Sequence, residues 1–560
     1  MRPSPPPPGF AALFTPKFVT VLREGYGLAA LRADAVAGLT VAIVALPLSM
    51  AIAIASGVTP DRGLYTAIVG GLLISLLGGS RFQIGGPAGA FIVLIAGTVA
   101  TQGVEGLLIA TLLSGVMLMA AGFLRLGTFI KYIPYPVTVG FTAGIAAIIF
   151  ASQLKDLLGL TLAAPEPGPL LPKLQAIAQA LPTFNLESAL IATVSIGLIV
   201  LIRRFRPQWP NLLIAVLVTS LVVALLHWPV ATIGTRFGGI AQTLPWPQLP
   251  PLTWQRVLTL LPVSLSFALL GSIESLLSAV VADSMSGRRH RSNCELVAQG
   301  VANIASSLFG GFCVTGTIAR TATNVRAGAH GPMAGVLHAL FLLLFMLLAA
   351  PLAAYIPLAA LAGLLATVAW NMAEKHAVAT LLRASRGDAL VLLATLLLTV
   401  FHDLMQGIVV GFALSALLFV HRMSQAVGVQ GDEADAPRDH EHGGYVGRPA
   451  DRDILVYRLS GAFFFGAAAG VAAALERIAV QPKAYVIDFS AVYLIDSTAA
   501  ITIEAFLRKA QRQGAALYVT GASVGVRRQL LTHGVREPSA CYRESVETAV
   551  SEIRQALLQH

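Results

Sequence analysis

The stretch "GTIARTATNVRAG", residues 316–328, falls where a run of apolar segments calls for another membrane span, yet it is too short and too polar to be one. A helix that crosses a bilayer needs about twenty predominantly apolar residues. This one offers about a dozen, interrupted by Arg320, Thr321, Thr323 and Asn324. An earlier stretch shares the defect: "GGPAGAF", residues 85–91, opens a segment with only about fifteen residues of helix. Outward from these two, apolar segments follow one another along most of the chain. We read about fourteen, at 33–56, 63–79, 87–101, 105–123, 133–152, 187–203, 209–227, 257–283, 292–310, 316–327, 331–349, 354–372, 388–402 and 405–421. The defective ones are third and tenth, so each is third in its own set of seven. Short, Gly/Pro-interrupted segments at matching positions of two halves mark inverted-repeat transporters with broken helices. Lipid cannot satisfy the N–H and C=O groups of such backbone, so it must line a cavity or be buried in protein. Two half-helix N-termini meeting near the midplane would present free N–H groups and positive dipole ends, which is an anion site. The plainer reading is a pair of re-entrant packing elements with no ligand.

The totals agree with a membrane protein. Of 560 residues, 56% are hydrophobic and 12% charged, with a mean hydropathy of +0.75. No water-soluble fold needs that much apolar surface. The net charge of +10 fits loops facing anionic membrane lipid better than nucleic acid, which we exclude as a partner. Cys294, Cys313 and Cys541 lie far apart, with neither a disulfide framework nor a metal spacing. The start, "MRPSPPPPGF", lacks the features of a signal peptide. With an even number of spans both termini share a side, and the basic residues choose it. Arg81, Arg125, Lys131, Arg203, Arg204, Arg206, Arg288 and Arg289 sit in loops on the N-terminal side. Both termini are therefore expected in the cytoplasm, and the protein in the plasma membrane.

Composition divides the chain into a Pro-rich leader at 1–31, a transmembrane part at 32–422, a linker at 423–451 and a C-terminal domain at 452–560. "DHEH" within the linker, residues 439–442, reads as a solvated tract rather than a metal site. In the last part "DILVYRLS", "AYVIDFS" and "ALYVTG" are β-branched-rich runs that alternate with helical stretches, as in a sheet with packed helices. Within "LIDST", Asp496 and Ser497 fall where a strand gives way to a helix, and N-capping is their simplest role.

Two charges stand at membrane depth. Arg320 follows "GTIA" at the start of the tenth segment. An arginine there costs at least about 2.5 kcal/mol unless it meets water or a partner. Beside a half-helix N-terminus it could fork two donors onto an oxyanion; otherwise it sits nearer an interface and snorkels. Glu274 lies in "LLGSIESLLSAVVADS", residues 269–284, with Ser278 one turn on and so on the same helix face. An intramembrane carboxylate faces a cavity, pairs with a cation or carries a proton. We read Glu274 as the handler of a coupling cation, chiefly a proton; the alternative is a static ion pair with Arg320.

These residues carry a resemblance. "AGLTVAIVALPLSMAIAIASGVTPDRGLYTAI" (37–68), "GGPAGAF", "LGSIESLLSAVVADS" (270–284) and "GGFCVTGTIARTATNVRAGA" (310–329) are similar to the sulfate permease (SulP) family of anion transporters. "AYVIDFSAVYLIDSTAA" (484–500) resembles a STAS domain, named for sulfate transporters and anti-sigma-factor antagonists. The resemblance implies a polytopic α-helical membrane protein in a 7+7 inverted repeat, with a core and a gate domain, a C-terminal cytoplasmic α/β STAS domain and a homodimeric state. It implies an anion held between Pro87, Ala88, Gly89 and Ala90 on one side and Gly316, Thr317, Ile318, Ala319 and Arg320 on the other. It places Glu274, with Ser278, at the coupling-ion position, where sodium-driven bicarbonate members have Asp. It makes Ser497 a candidate regulatory site, because the serine at this place is phosphorylated in the antagonists, and gives STAS a possible cytoplasmic protein partner. Two departures bear on substrate: Pro47-Leu48 replaces the Pro-Gln of many sulfate members, and Ala319 stands where a hydroxyl often precedes the arginine. Sulfate, bicarbonate and C4-dicarboxylates all remain open as substrates, with sodium as an alternative coupling ion. The expected function is proton-coupled uptake of a sulfate-type anion. An uncoupled exchanger or anion channel, and a nucleobase transporter of the same fold, are the rivals; Glu274 disfavours the channel and Arg320 the neutral nucleobase. The sequence calls for no cofactor and no metal, and it lacks the nucleophile–base pair of an enzyme.

Overall fold

The computed structural model describes residues 9, 13–128, 134–164, 166–167, 169–207, 209–402, 404–425, 428–431, 453–476 and 482–558. Each of the fourteen apolar segments falls on a helix. After a short helix α1 (Lys17–Glu24), α2 (Leu28–Ala55) is the first long span. The second segment is a composite of α3 (Pro60–Tyr65), a π-helical turn (Thr66–Gly70) and α4 (Gly71–Leu77). Then come β1 (Gly85–Gly86), a 3₁₀ turn (Gly89–Phe91) and α5 (Ile92–Phe123). Segments three and four join in α5, which breaks at Gly103 with φ 68° and ψ −176°. That backbone conformation is open to glycine and closed to other residues. The first half ends with α6 (Tyr135–Leu157), α7 (Leu170–Ala180), α8 (Leu186–Phe205) and α9 (Asn211–Leu226).

A short helix α10 (Ile233–Phe237) precedes the second half. There α11 (Trp254–Ser286) and α12 (Ser292–Leu308) lead to β2 (Thr315–Gly316) and the nine-residue α13 (Ile318–Arg326). After them come α14 (Met333–Ala353), α15 (Leu358–Met372), α16 (Lys375–Ala384), α17 (Arg386–Phe401) and α18 (Leu404–Gln425). Among the described residues seven helices are long and apolar enough to cross a membrane unaided; the other spans are short, broken or carry polar faces turned inward. Helix α12 is the clearest case of the last kind, because Asn293, Glu295, Gln299 and Asn303 are all buried. The helices pack in two groups. In one, α2 lies on α14, α5 on α12 and α11, and α11 on α13; in the other, α6 packs on α15 and α17, and α8 on α9 and α15. Helices α1, α7 and α16 escaped the hydropathy reading because they are short and amphipathic.

The chain divides into two compact units, Met1–Phe412 and Ala413–His560. The second holds a five-stranded sheet of β3 (Gly428–Gly431), β4 (Ile454–Phe463), β5 (Ala484–Ile495), β6 (Ala516–Thr520) and β7 (Cys541–Arg543), in that order. The pair β3–β4 is antiparallel and the others are parallel. Helices α19 (Phe465–Glu476), α20 (Ser497–Arg512), α21 (Val524–Thr532) and α22 (Val546–Leu558) follow the strands. Strand β3 corrects the linker reading at 428–431: a Gly-rich stretch that looks like linker finds its hydrogen-bond partners in the distant β4. Most of the remaining linker, "DHEH" included, lies outside the described residues.

Candidate functional site

The two defective segments meet. Strands β1 and β2 pair antiparallel, Gly85 opposite Gly316 and Gly86 opposite Thr315. Such backbone must find partners within the protein: side chains of the second half hold the approach to β1, and side chains of both halves hold the approach to β2. Asn324 of α13 donates to the Phe82 carbonyl at 2.9 Å, and Thr321 accepts from the Ile84 N–H at 3.1 Å. On the other approach, Thr66 of the π turn accepts from the Phe312 N–H at 2.8 Å. Asn303 of α12 accepts from the Val314 N–H and donates to the Val314 carbonyl, at 3.0 and 2.8 Å. Thr315 ties β2 to α11 through the Gly271 carbonyl.

From this crossing two helices start inside the protein, and neither has a side-chain cap. Ala88 precedes the turn that opens α5, and Thr317 precedes α13, both with extended backbone. Thr317 is a residue type that caps well, but its hydroxyl points to the Ile84 carbonyl instead. Asn185, Thr253 and Ser385 cap their helices, whereas α2, α6, α12 and α15, like these two, begin without a side-chain cap. An uncapped N-terminus keeps its first N–H groups and its partial positive charge available.

Arg320 lies at the same crossing and is only 1% exposed. Its Nη2 donates to Ser49 Oγ of α2 at 3.1 Å and to the Pro87 carbonyl at 3.3 Å, so it spans the two candidate strips. Its Nε and Nη1 are buried without a partner. Gly86 is what admits it, since a Cβ there would come within 1.7 Å of Nη1. Gly316 likewise admits Gln83, which donates to Ser275 Oγ at 2.9 Å. Of the other candidates, Pro87, Ala88, Ala90, Gly316 and Thr317 are buried, Gly89 is half-buried, and Ile318 and Ala319 are exposed.

Glu274 stands apart from Arg320. No ion pair within 4.0 Å joins them among the described residues, so the structure gives no static pair. The half-buried carboxylate opens instead on a narrow cavity of about 30 Å³ between α11, α6, α18 and the start of α13. Phe141, Ile273, Ile318 and Ile408 are among its apolar walls. Ser278 does not line this cavity; fully buried, it donates to Thr321 Oγ1 at 3.0 Å and ties α11 to α13. In the C-terminal unit Asp496 caps α20 by accepting from the Ala499 N–H, and it also accepts from the Phe465 N–H. Ser497 is the exposed first residue of that helix. Sequence reasoning missed Ser49, Gln83 and His338, a buried histidine of α14; nothing in their surroundings along the chain distinguishes them from packing residues.

A multi-span membrane protein built on two broken helices that meet in its interior has the architecture of inverted-repeat transporters. Comparison with known proteins specifies which: residues 31–395 match the sulfate permease family and residues 446–548 the STAS domain. The chain belongs to the sulfate permease family, whose members are membrane transporters. It is 40% identical over 501 residues to the putative sulfate transporter YvdB of Bacillus subtilis, covering 89% of this chain and 93% of that protein. It is 32% identical over 520 residues to the bicarbonate transporter BicA of Synechocystis, covering 89% and 90%. The transmembrane domain of a cyanobacterial BicA superposes with a TM-score of 0.63 at 31% identity, covering 68% of this chain and 98% of that one. The murine Solute Carrier 26 member A9 anion transporter shares the fold with a TM-score of 0.82 at 19% identity, covering 99% and 96%.

Proposed function

We propose that the protein takes up a small oxyanion of the sulfate or bicarbonate type together with a proton, binding the anion where the two half-helices cross. One observation carries this reading: a buried guanidinium with two unpartnered nitrogens and, among the described residues, no carboxylate in an ion pair with it, between two uncapped helix N-termini. An unpaired buried charge costs several kcal/mol, and an arriving anion would offset that cost while receiving helix N–H groups and an arginine fork. Pro87 to Ala90 and Gly316 to Ala319 supply backbone, with Arg320 the only charged side chain among the candidates. The relatives' names favour sulfate or bicarbonate over a dicarboxylate. A neutral nucleobase would leave the arginine uncompensated.

Glu274 is the proton carrier of this proposal. Its carboxylate and the anion repel, so a proton on Glu274 and an anion at the crossing favour each other, which is the thermodynamic condition for symport. Ser278, engaged with Thr321, positions α11 against α13 rather than binding the ion. Both termini face the cytoplasm of a plasma-membrane protein, the chain works as a homodimer, and STAS meets a cytoplasmic partner with Ser497 open to phosphorylation. The test is uptake of sulfate, bicarbonate, fumarate and chloride into proteoliposomes, each with and without proton and sodium gradients. Concentrative sulfate or bicarbonate uptake under an inward proton gradient supports the proposal. Uptake that only equilibrates, whatever the gradient, makes the protein an exchanger or channel; dependence on sodium alone reassigns the coupling ion.

A further inference from the structure

Ser49 of α2 is completely buried, and its Oγ accepts from Nη2 of Arg320 at 3.1 Å. A hydroxyl is a donor as well as an acceptor. Within a helix that proton commonly returns to the carbonyl three or four residues back. Ser264 of α11, Thr219 of α9 and Thr395 of α17, all completely buried, do so at 2.7, 2.7 and 2.8 Å. Ser49 does not. Among the described residues its only hydrogen bond is the one it accepts from Arg320, so its proton is unused where an unmet donor is costly. The contact is built from both sides. Behind Ser49, a Cβ at Gly63 of α3 would come within 2.2 Å of the Ser49 carbonyl oxygen, so glycine lets α3 back α2 at this level. Across from it, Gly86 of β1 admits Nη1 of the same guanidinium.

We propose that Ser49 is an anion-binding residue, acting as one unit with Arg320; the proposal rests on the reading of Arg320 as the anion ligand. In the state seen here the two N–H groups of Nη2 go to Ser49 and to the Pro87 carbonyl. A guanidinium forks through Nη2 paired with one of its other nitrogens, so an oxyanion taken by the fork claims one of those N–H groups. The Pro87 carbonyl, at 3.3 Å the more distant acceptor, has no proton to offer and only repels an anion. It is the one released. Ser49 keeps Nη2 on its oxygen and turns its free proton to an unprotonated oxygen of the same anion. A hydroxyl that accepts from a charged donor is itself a stronger donor. The first long span thus adds a wall to a site otherwise made by the half-helices.

The test is a double-mutant cycle on the purified full-length protein, read as the Kd of radiolabelled sulfate and bicarbonate. It compares the parent, Ser49→Ala, Arg320→Ala and the double variant, each shown to be folded. Ser49→Cys, nearly the same size and only a weak donor, replaces the alanine variant should that one fail to fold. We expect loss of the hydroxyl to weaken binding about tenfold or more, the scale of a hydrogen bond to a charged group. It should add little in an Arg320→Ala background. The sign of the effect separates a ligand from a mere resting place for the arginine. If Ser49 only occupies Nη2 until the anion arrives, its removal frees that nitrogen, and the anion binds as tightly as before or more tightly. That result, beside a weakened Arg320→Ala, overturns the role of Ser49 alone, as does full additivity in the double variant, which is the mark of a merely structural residue. Unchanged affinity in Arg320→Ala overturns the anion-site reading itself.

Discussion

Arg320 and Glu274 are both ionisable side chains held at membrane depth, and the structure gives them separate surroundings. That separation matters for transport, because a proton carrier locked in a salt bridge to the anion ligand would have to break the bridge before either could work. Glu274 opens instead on its own cavity, whose other walls are mostly apolar. Glu274→Gln mimics the protonated side chain, so it should retain anion binding and lose accumulation driven by an acid outside. If the glutamine variant concentrates anion under an inward proton gradient as well as the parent, without sodium, Glu274 is not the coupling residue. Both charges were legible in the sequence, since a charge inside an apolar run needs a reason. Ser49, Gln83 and His338 were not, because a small polar residue or a lone histidine on an apolar helix has the same pattern as a packing residue. The Ser49–Arg320 contact joins residues 271 positions apart, a juxtaposition that no local spacing encodes.

At the scale of elements, the crossing depends on side chains that replace the missing helical hydrogen bonds. Asn303 is the most exacting of them, because it serves both the N–H and the carbonyl of Val314 and is itself buried. Asn303→Ala would leave both backbone groups without their partner, at about 1–3 kcal/mol for each unsatisfied group. We expect the purified protein in detergent to be destabilised by about 2–6 kcal/mol on that scale, read as a clear drop in its unfolding midpoint. A midpoint equal to the parent's would mean that β2 is held by other contacts. The shortness of the third and tenth segments showed in the sequence, because length and polarity are local properties. The pairing of β1 with β2 did not, since two residues carry too little pattern to read as a strand. The same limit hid β3, whose partner lies beyond the linker. The π turn at Thr66–Gly70 was likewise invisible, its sequence "TAIVG" being ordinary apolar helix.

At the scale of the whole molecule, the residues of the proposed anion and proton sites fall within the first compact unit, which ends at Phe412. The sheet begins in the second unit, at Gly428. A truncation meant to remove STAS should therefore end at Gln425 rather than at the start of β4, which would strand β3. Such a protein, if it remains folded, should keep its anion affinity while losing rate or assembly; a tenfold change in Kd, about 1.4 kcal/mol, would tie the C-terminal unit to the site. The central claim is that an anion binds at the crossing of the half-helices and is held there by Arg320. Its most direct test is the Kd of sulfate and bicarbonate for the purified parent, Arg320→Ala and Arg320→Lys, each shown to be folded. The account predicts that Arg320→Ala weakens binding by about 1.5–3 kcal/mol, the scale of a charge-assisted hydrogen bond, and that lysine, lacking the planar fork, recovers only part of the loss. An alanine variant that binds both anions as tightly as the parent would contradict it.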